Sequence, residues 1–155
     1  MPEHVVTVVT VPPRATAVVA QTTTWELFPQ LWKPLLDEVY EFVRTRPDLA
    51  SETGPGPKWQ NVMLYKDDRP AVEVGVLVGA PFSQHGRVTP SHLPGGRAAT
   101  TLHSGDYTGL GAAHDAVHRF ADENAMKLAG PSWEIYGHAT PDPRDIEIEI
   151  FYLLG

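Results

Sequence analysis

The hydrophobic pattern of the first half predicts strands on either side of one amphipathic helix. Four segments are rich in β-branched or alternating apolar residues and predict strands: residues 5–11, 15–20, 59–65 and 71–78. From Trp25 to Val43 the apolar residues recur every three or four positions, the period of a helix with one buried face. Pro34 lies within this stripe, so the helix either begins near Lys33 or bends at the proline.

The second half repeats this order of elements. Residues 97–103, 133–136 and 146–153 predict strands. Between the first two of them, a helix places five apolar residues on one face: Leu110, Ala113, Val117, Phe120 and Ala121. Residues 83–96 combine prolines and glycines without periodicity, which predicts a linker between the two halves.

The two halves also match at particular residues. Residues 56–59 (Gly-Pro-Lys-Trp) correspond to residues 130–133 (Gly-Pro-Ser-Trp), and Glu73 follows the first motif at the interval at which Glu147 follows the second. This match predicts a duplicated β-α-β-β unit. Two such units must pack together, because a three-stranded sheet alone leaves an apolar face exposed.

The predicted fold is therefore α+β: one domain of two βαββ modules with antiparallel sheets, pseudo-two-fold symmetry and a ligand cleft between the modules. The first module would span about residues 1–82 and the second about residues 97–155. Trp25 and Tyr107 head the two helices and are expected near the junction. Because these modules occupy the sequence without a helix-turn-helix segment, we expect a stand-alone domain with no direct role in transcription.

Strand alternation indicates candidate binding residues. In the last strand the isoleucines would face the helices, whereas Glu147 and Glu149 would point the other way. On the neighbouring strand Glu134 and Tyr136 share a face, opposite Trp133. If these strands pair, carboxylates and a tyrosine cluster on the non-helical face; the alternative is a solvated acidic face.

A carboxylate beside aromatic rings supports two kinds of chemistry. Burying it without a partner is costly, and a delocalised cation held between aromatic rings supplies the missing charge. The same carboxyl group can instead act as a general acid or base for the attack of water. The sequence alone leaves both uses open.

The net charge of the chain limits the kinds of molecule that it is expected to bind. The 155 residues include 19 acidic and 12 basic side chains, giving a net charge of −7. Such a surface repels phosphate backbones, so no direct binding of nucleic acid is expected. A lipophilic cation or a basic protein surface would be attracted instead.

Other features of the sequence concern cysteine-based sites, metal sites and the location of the protein in the cell. The chain has no cysteine, which removes disulfides, thiolate metal sites and a cysteine nucleophile. His114 and His118 stand at a spacing that can hold a metal, but no third ligand follows, so we expect no metal and no cofactor. No apolar run is long enough to span a membrane and the start lacks a signal peptide's basic region, which predicts a cytoplasmic protein without membrane contact.

Three segments of the second half resemble the GyrI-like effector-binding domain, which is also the drug-sensing part of multidrug-responsive MerR-type and AraC-type regulators. They are residues 105–113 (GDYTGLGAA), 130–136 (GPSWEIY) and 145–150 (DIEIEI). The family pattern runs Gly-Pro-Tyr before the helix, Glu-Ile-Tyr on the middle strand and Thr-Glu-Ile-Tyr-Ile-Pro on the last. The resemblance is clearest from residue 97 onwards, and the duplication extends it over nearly the whole chain.

The resemblance implies two βαββ modules around a central cleft for hydrophobic, often cationic compounds. In drug-binding members an acidic residue of the Glu-Ile-Tyr strand faces the positive charge of the ligand, and this position is Glu134, with Tyr136 two residues on. Some stand-alone members are thought to hydrolyse strained electrophiles such as cyclopropanoids; here Glu134 would activate water and Tyr136 would position or protonate the substrate. Other members are described as gyrase inhibitors, which makes gyrase a candidate protein partner.

Three residues depart from the family pattern. Asp106 replaces the usual proline, Glu149 replaces a common tyrosine, and His114 stands where many members carry a tryptophan. A second acid in the cleft would favour cations further. The leading hypothesis is a binding protein for lipophilic, preferably cationic aromatic molecules. Its predicted binding residues are Glu134, Tyr136, Trp25, Trp59, Tyr65, Tyr107, Trp133 and Glu149.

Overall fold

A computed structural model of the chain describes residues 4–50, 59–105, 109–137 and 147–155. Its eight strands are β1 (Thr7–Val11), β2 (Arg14–Thr22), β3 (Asn61–Tyr65), β4 (Ala71–Leu77), β5 (Val88–Leu93), β6 (Gly96–Ser104), β7 (Leu128–Tyr136) and β8 (Glu147–Leu154). The helices are α1 (Phe28–Val43), α2 (Leu110–Glu123) and a short 3₁₀ turn (Pro47–Leu49). Two helices combined with an antiparallel sheet make this an α+β protein, which confirms that part of the predicted fold class.

All eight strands form one antiparallel sheet in the order β1-β6-β8-β7-β3-β4-β2-β5. Strands β3 and β7, which come from different halves of the sequence, pair at the middle of the sheet. In their register Met63 lies opposite Glu134 and Leu64 lies opposite Trp133. Residues directly opposite one another share a face, so each pair belongs to a different side of the sheet.

Both helices cover the same side of the sheet. The buried stripe of α1, which includes Leu36 and Val39, packs with Val74 of β4 and Met63 of β3. The narrower stripe of α2, Ala113, Val117 and Ala121, is buried towards β6 and β8. Ile148 and Ile150 of β8 belong to this second cluster, as the strand alternation predicts. Tyr136 contacts both clusters, so it lies where the two helical layers meet.

The opposite side of the sheet has its own apolar cluster. The rings of Trp133 and Phe151 are stacked, with centroids 5.4 Å apart and an interplanar angle of 9°. Leu64, Leu77 and Leu93 also belong to the buried part of this cluster. The central strands are therefore buried on both sides, although helices cover only one.

Two predicted elements differ in detail from the observed ones. Helix α1 runs continuously through Pro34, because packing of its apolar face outweighs the one backbone hydrogen bond that the proline removes. Residues 83–96, which the sequence predicts to be a linker, contain β5. This strand lies at the edge of the sheet, the position that tolerates Pro90. The sequence of residues 141–143 (Pro-Asp-Pro) predicts a turn, and this segment lies outside the described residues.

Neither of the described helices has the length and apolar character that a membrane span requires.

Gly75 provides a test of the sheet packing. A Cβ atom at this position would lie 1.8 Å from the carbonyl oxygen of Ala17 on β2, a backbone atom that cannot rotate away. We expect Gly75→Ala to lower the free energy of unfolding by at least about 2 kcal/mol. Urea denaturation measures this loss. Gly111→Ala, where a Cβ would meet no atom within 4 Å, is the matched control and should not destabilise the protein. Equal stability of both variants would contradict the close approach of β4 to β2.

Candidate ligand-binding site

A cavity of about 500 Å³ lies between the two helices, above the pairing of β3 with β7. We call it the central cavity. Helix α1 contributes most of its apolar wall, α2 contributes one leucine, and the two strands form the floor. Its lining residues are Phe28, Pro29, Trp32, Leu36, Asn61, Met63, Tyr65, Leu110, Glu134 and Tyr136. The cavity is therefore mainly apolar and aromatic, with one carboxylate.

The Glu134 side chain is held in the floor of the central cavity by tyrosine hydroxyls. Tyr65 and Tyr136 both donate to its Oε1 atom, at 2.9 and 2.8 Å. The residue is only 2% exposed. Because burial removes the hydration of a carboxylate, these donors replace water and hold the group in one orientation.

His114 completes the set of groups around this carboxylate. Its Nε2 atom lies 2.6 Å from Oε2 of Glu134, and its Nδ1 atom lies 2.6 Å from the hydroxyl of Tyr152. The second turn of α2 brings the imidazole over β7 and β8. Among the described residues, His114 is the only basic side chain in contact with Glu134. No lysine or arginine of the described chain neutralises this carboxylate.

The surrounding tyrosines remain protonated over a wide pH range. Burial, and then the charge of Glu134, raises the pKa of Tyr65 well above its ordinary value. The same two causes raise the pKa of Tyr152 to about 12. Both hydroxyls therefore act as hydrogen-bond donors at neutral pH and not as anions.

A second pocket adjoins the central cavity at Tyr65, and we call it the side pocket. It has a volume of about 590 Å³ and includes His114, His118 and Tyr152. Tyr65 lines both spaces. Asp67 also lines the side pocket, and the Arg69 guanidinium together with backbone amides lowers the pKa of this carboxyl to about 2.

The structure brings three of the predicted binding residues together: Glu134, Tyr136 and Tyr65. Trp25 lies in the side pocket, where its ring contacts that of Tyr65 at a centroid distance of 5.4 Å. Trp59 packs against the apolar cluster beneath α1 and lines neither space. Tyr107 lies outside the described residues.

The expected clustering of Glu134 with Glu149 is wrong. Glu134 lies opposite Ile150, and Ile135 lies opposite Glu149. Alternation therefore places Glu134 on the helical side of the sheet and Glu149 on the other side. Trp133, also predicted to bind ligand, lies on that other side next to Phe151. The Glu134 carboxylate is thus covered by helices, and Glu149 does not face it.

Sequence reasoning missed several residues of this arrangement. The sequence identifies His114 as a candidate metal ligand and as a departure from the family's tryptophan, but does not predict its contact with Glu134, although it stands at the edge of the apolar face of α2. Tyr152 lies two residues after Ile150 on the last strand, so the two side chains share a face and the direction of Tyr152 follows from the sequence. Phe28 and Trp32 belong to the predicted helical stripe, but periodicity does not tell a cavity wall from a packed core.

This geometry is suited to an organic cation or to proton transfer. Apolar and aromatic surfaces can pack against rings, and a carboxylate without a lysine or arginine partner attracts positive charge. A carboxylate in contact with an imidazole can also accept or pass on a proton. Binding of an organic cation requires only the arrangement of residues described above.

Comparisons with known proteins agree with the fold. The model of the GyrI-like small molecule binding domain family matches residues 4–154. The EcmrR C-terminal domain is similar at a TM-score of 0.77 and 17% identity, with 98% of each chain covered. The EcmrR chain in a DNA complex has the same TM-score and 18% identity; the match covers 99% of our chain but 58% of that one. SAV2435, solved with tetraphenylphosphonium, has a TM-score of 0.66 and 10% identity over 97% of our chain and 93% of its own. No curated protein sequence gave a significant match.

The raised tyrosine pKa values predict a loss of stability at alkaline pH. Tyr152 keeps its proton in the folded state up to a pKa of about 12, whereas an unfolded tyrosine releases it above about pH 10. The unfolded state then binds fewer protons, so the free energy of unfolding falls as pH rises through this window. The melting temperature should fall less steeply between about pH 10 and 12 in Tyr152→Phe than in wild type. Thermal unfolding followed by circular dichroism measures both slopes, and equal slopes would contradict the prediction.

Proposed function

Because the chain belongs to the family of GyrI-like small molecule binding domains, we propose that it binds lipophilic aromatic molecules, and preferably cations, in the central cavity. Glu134 is the charge anchor in this proposal. Tyr65 and Tyr136 orient the carboxylate and present their rings to the ligand. Phe28 and Trp32 supply apolar surface for aromatic groups.

One observation carries the proposal: a carboxylate that is 2% exposed lies in an apolar cavity without a lysine or arginine partner among the described residues. A buried charge of this kind is costly in the empty site. A cation lowers that cost when it enters, while an uncharged molecule of the same shape does not. The apolar walls then provide most of the affinity and the carboxylate provides the preference for charge.

The size of the cavity and one similar structure support this class of ligand. A volume of about 500 Å³ lies within the range of sites that bind drug-sized molecules. SAV2435 was solved with tetraphenylphosphonium, a lipophilic aromatic cation, and its fold is similar to this one. Tetraphenylphosphonium is therefore the first probe to use.

We also infer that the sheet arose from two βαββ modules joined by residues 83–96. The strand order supports this view, because β6-β8-β7 on one side of the central pairing corresponds to β2-β4-β3 on the other. In each set a helix follows the first strand. The site then lies between the modules, with its walls drawn from both.

Two other functions stay predictions. Hydrolysis of strained electrophiles would use Glu134 and Tyr136 on the same cavity floor, and the contact with His114 would assist proton transfer. Binding to gyrase or another basic protein would depend on the acidic surface and would respond to salt. No described feature favours either function over ligand binding.

Substitution of the anchor tests the proposal. Glu134→Gln keeps the size of the side chain and can still accept both tyrosine hydrogen bonds, but removes the charge. We expect tetraphenylphosphonium to bind about tenfold to a hundredfold more weakly, about 1.4 to 2.8 kcal/mol. Isothermal titration calorimetry measures this loss.

The matched ligand pair is a biphenyl trimethylammonium cation and its tert-butyl isostere, for which only the cation should lose affinity. Glu149→Gln is the control variant, since it removes one negative charge from the other side of the sheet. Equal losses for cation and isostere, or equal effects of the two variants, would refute the anchor. Consumption of a strained electrophile in excess over protein would instead establish hydrolysis.

A further inference from the structure

We propose that His114 sets the charge preference of the site by its own protonation state. Neutral His114 leaves the negative charge of Glu134 available to a cation, whereas protonated His114 neutralises it and lets the cavity accept uncharged aromatic molecules. This inference rests on the proposed function and identifies the residue that determines its specificity.

The two side chains occupy different environments although they touch. Glu134 forms part of the central cavity and its side chain is 3% exposed, while the His114 side chain is 22% exposed and lines the side pocket. His114 can therefore exchange a proton with solvent through the side pocket while a ligand occupies the central cavity. The 2.6 Å separation of Nε2 and Oε2 couples the charge of one group directly to the other.

The surrounding hydrogen bonds accommodate both protonation states. In the neutral imidazole, Nε2–H donates to Oε2 of Glu134 and Nδ1 accepts the hydroxyl proton of Tyr152. When a proton from solvent is added at Nδ1, this atom donates to the Tyr152 oxygen. The Tyr152 hydroxyl can then turn into the side pocket, which Tyr152 lines together with Ser132, the residue opposite it on β7. The proton can be gained or lost without leaving a buried group unpaired.

Several other charged or titratable groups face this imidazole. Glu134 and Tyr136 lie on β7, Tyr65 on β3 and Tyr152 on β8, while His118 and Asp115 lie on α2 and Asp67 and Asp68 follow β3. No lysine or arginine of the described chain lines either space. His118 is the other group of this set whose residue type changes charge near neutral pH, so it must be separated from His114 by experiment.

The test measures binding against pH with a ligand whose charge never changes. Tetraphenylphosphonium is quaternary, so any pH dependence belongs to the protein. From about pH 5.5 to 8.5, wild-type affinity for this cation should rise about tenfold, while affinity for the uncharged tert-butyl biphenyl should stay level or fall. Glutamine is the substitute for His114, because its amide can donate to Glu134 but carries no titrating charge.

In His114→Gln the cation should bind with nearly the same affinity at every pH, and binding of the uncharged isostere shows that the cavity is intact. His118→Gln is the matched control and should keep the wild-type slope. A level wild-type profile, or a slope retained in His114→Gln, overturns the inference. If the cation binds in a Glu134-dependent manner without a His114-dependent slope, this inference alone fails; if it binds at no pH, the proposed function fails as well.

Discussion

Pairing between β3 and β7 is the interaction on which the site depends. These strands come from opposite halves of the sequence, and their register places Met63 beside Glu134 on one face of the sheet. Each half carries a helix on that face, so the pairing fixes the gap between α1 and α2. The central cavity is this gap, and its floor is the pair of strands.

A buried carboxylate in such a gap needs its own hydrogen-bond donors. Tyr65 comes from β3, Tyr136 from β7 and His114 from α2, so the donors are drawn from three elements and both halves of the chain. Glu134 can keep its place only when all of these elements are assembled. The same arrangement leaves the carboxylate without a lysine or arginine partner in the described chain.

The two sides of the sheet differ in composition and in role. The helical side contains the cavity and its polar groups, whereas the other side holds the stacked rings of Trp133 and Phe151. Adjacent residues of β7 thus have different roles: Trp133 packs in the apolar cluster on one side of the sheet, and Glu134 lines the central cavity on the other. A single-residue change of register would exchange these two roles, and the buried aromatic stack therefore helps to keep the carboxylate on the helical side.

The local pattern of the sequence determined most of the helices and strands, and it identified the acidic residue of the candidate site. Apolar periodicity located both helices, and alternation along β7 and β8 showed which residues share a face within each strand, including Glu134 with Tyr136. The GyrI-like motifs indicated Glu134 as the acidic position. Tertiary structure decided which faces of β7 and β8 combine, because the register between two strands depends on their pairing and cannot be derived from either strand alone. It also decided that β5 joins the sheet edge and that His114 reaches Glu134, since both outcomes depend on contacts between residues far apart in the chain.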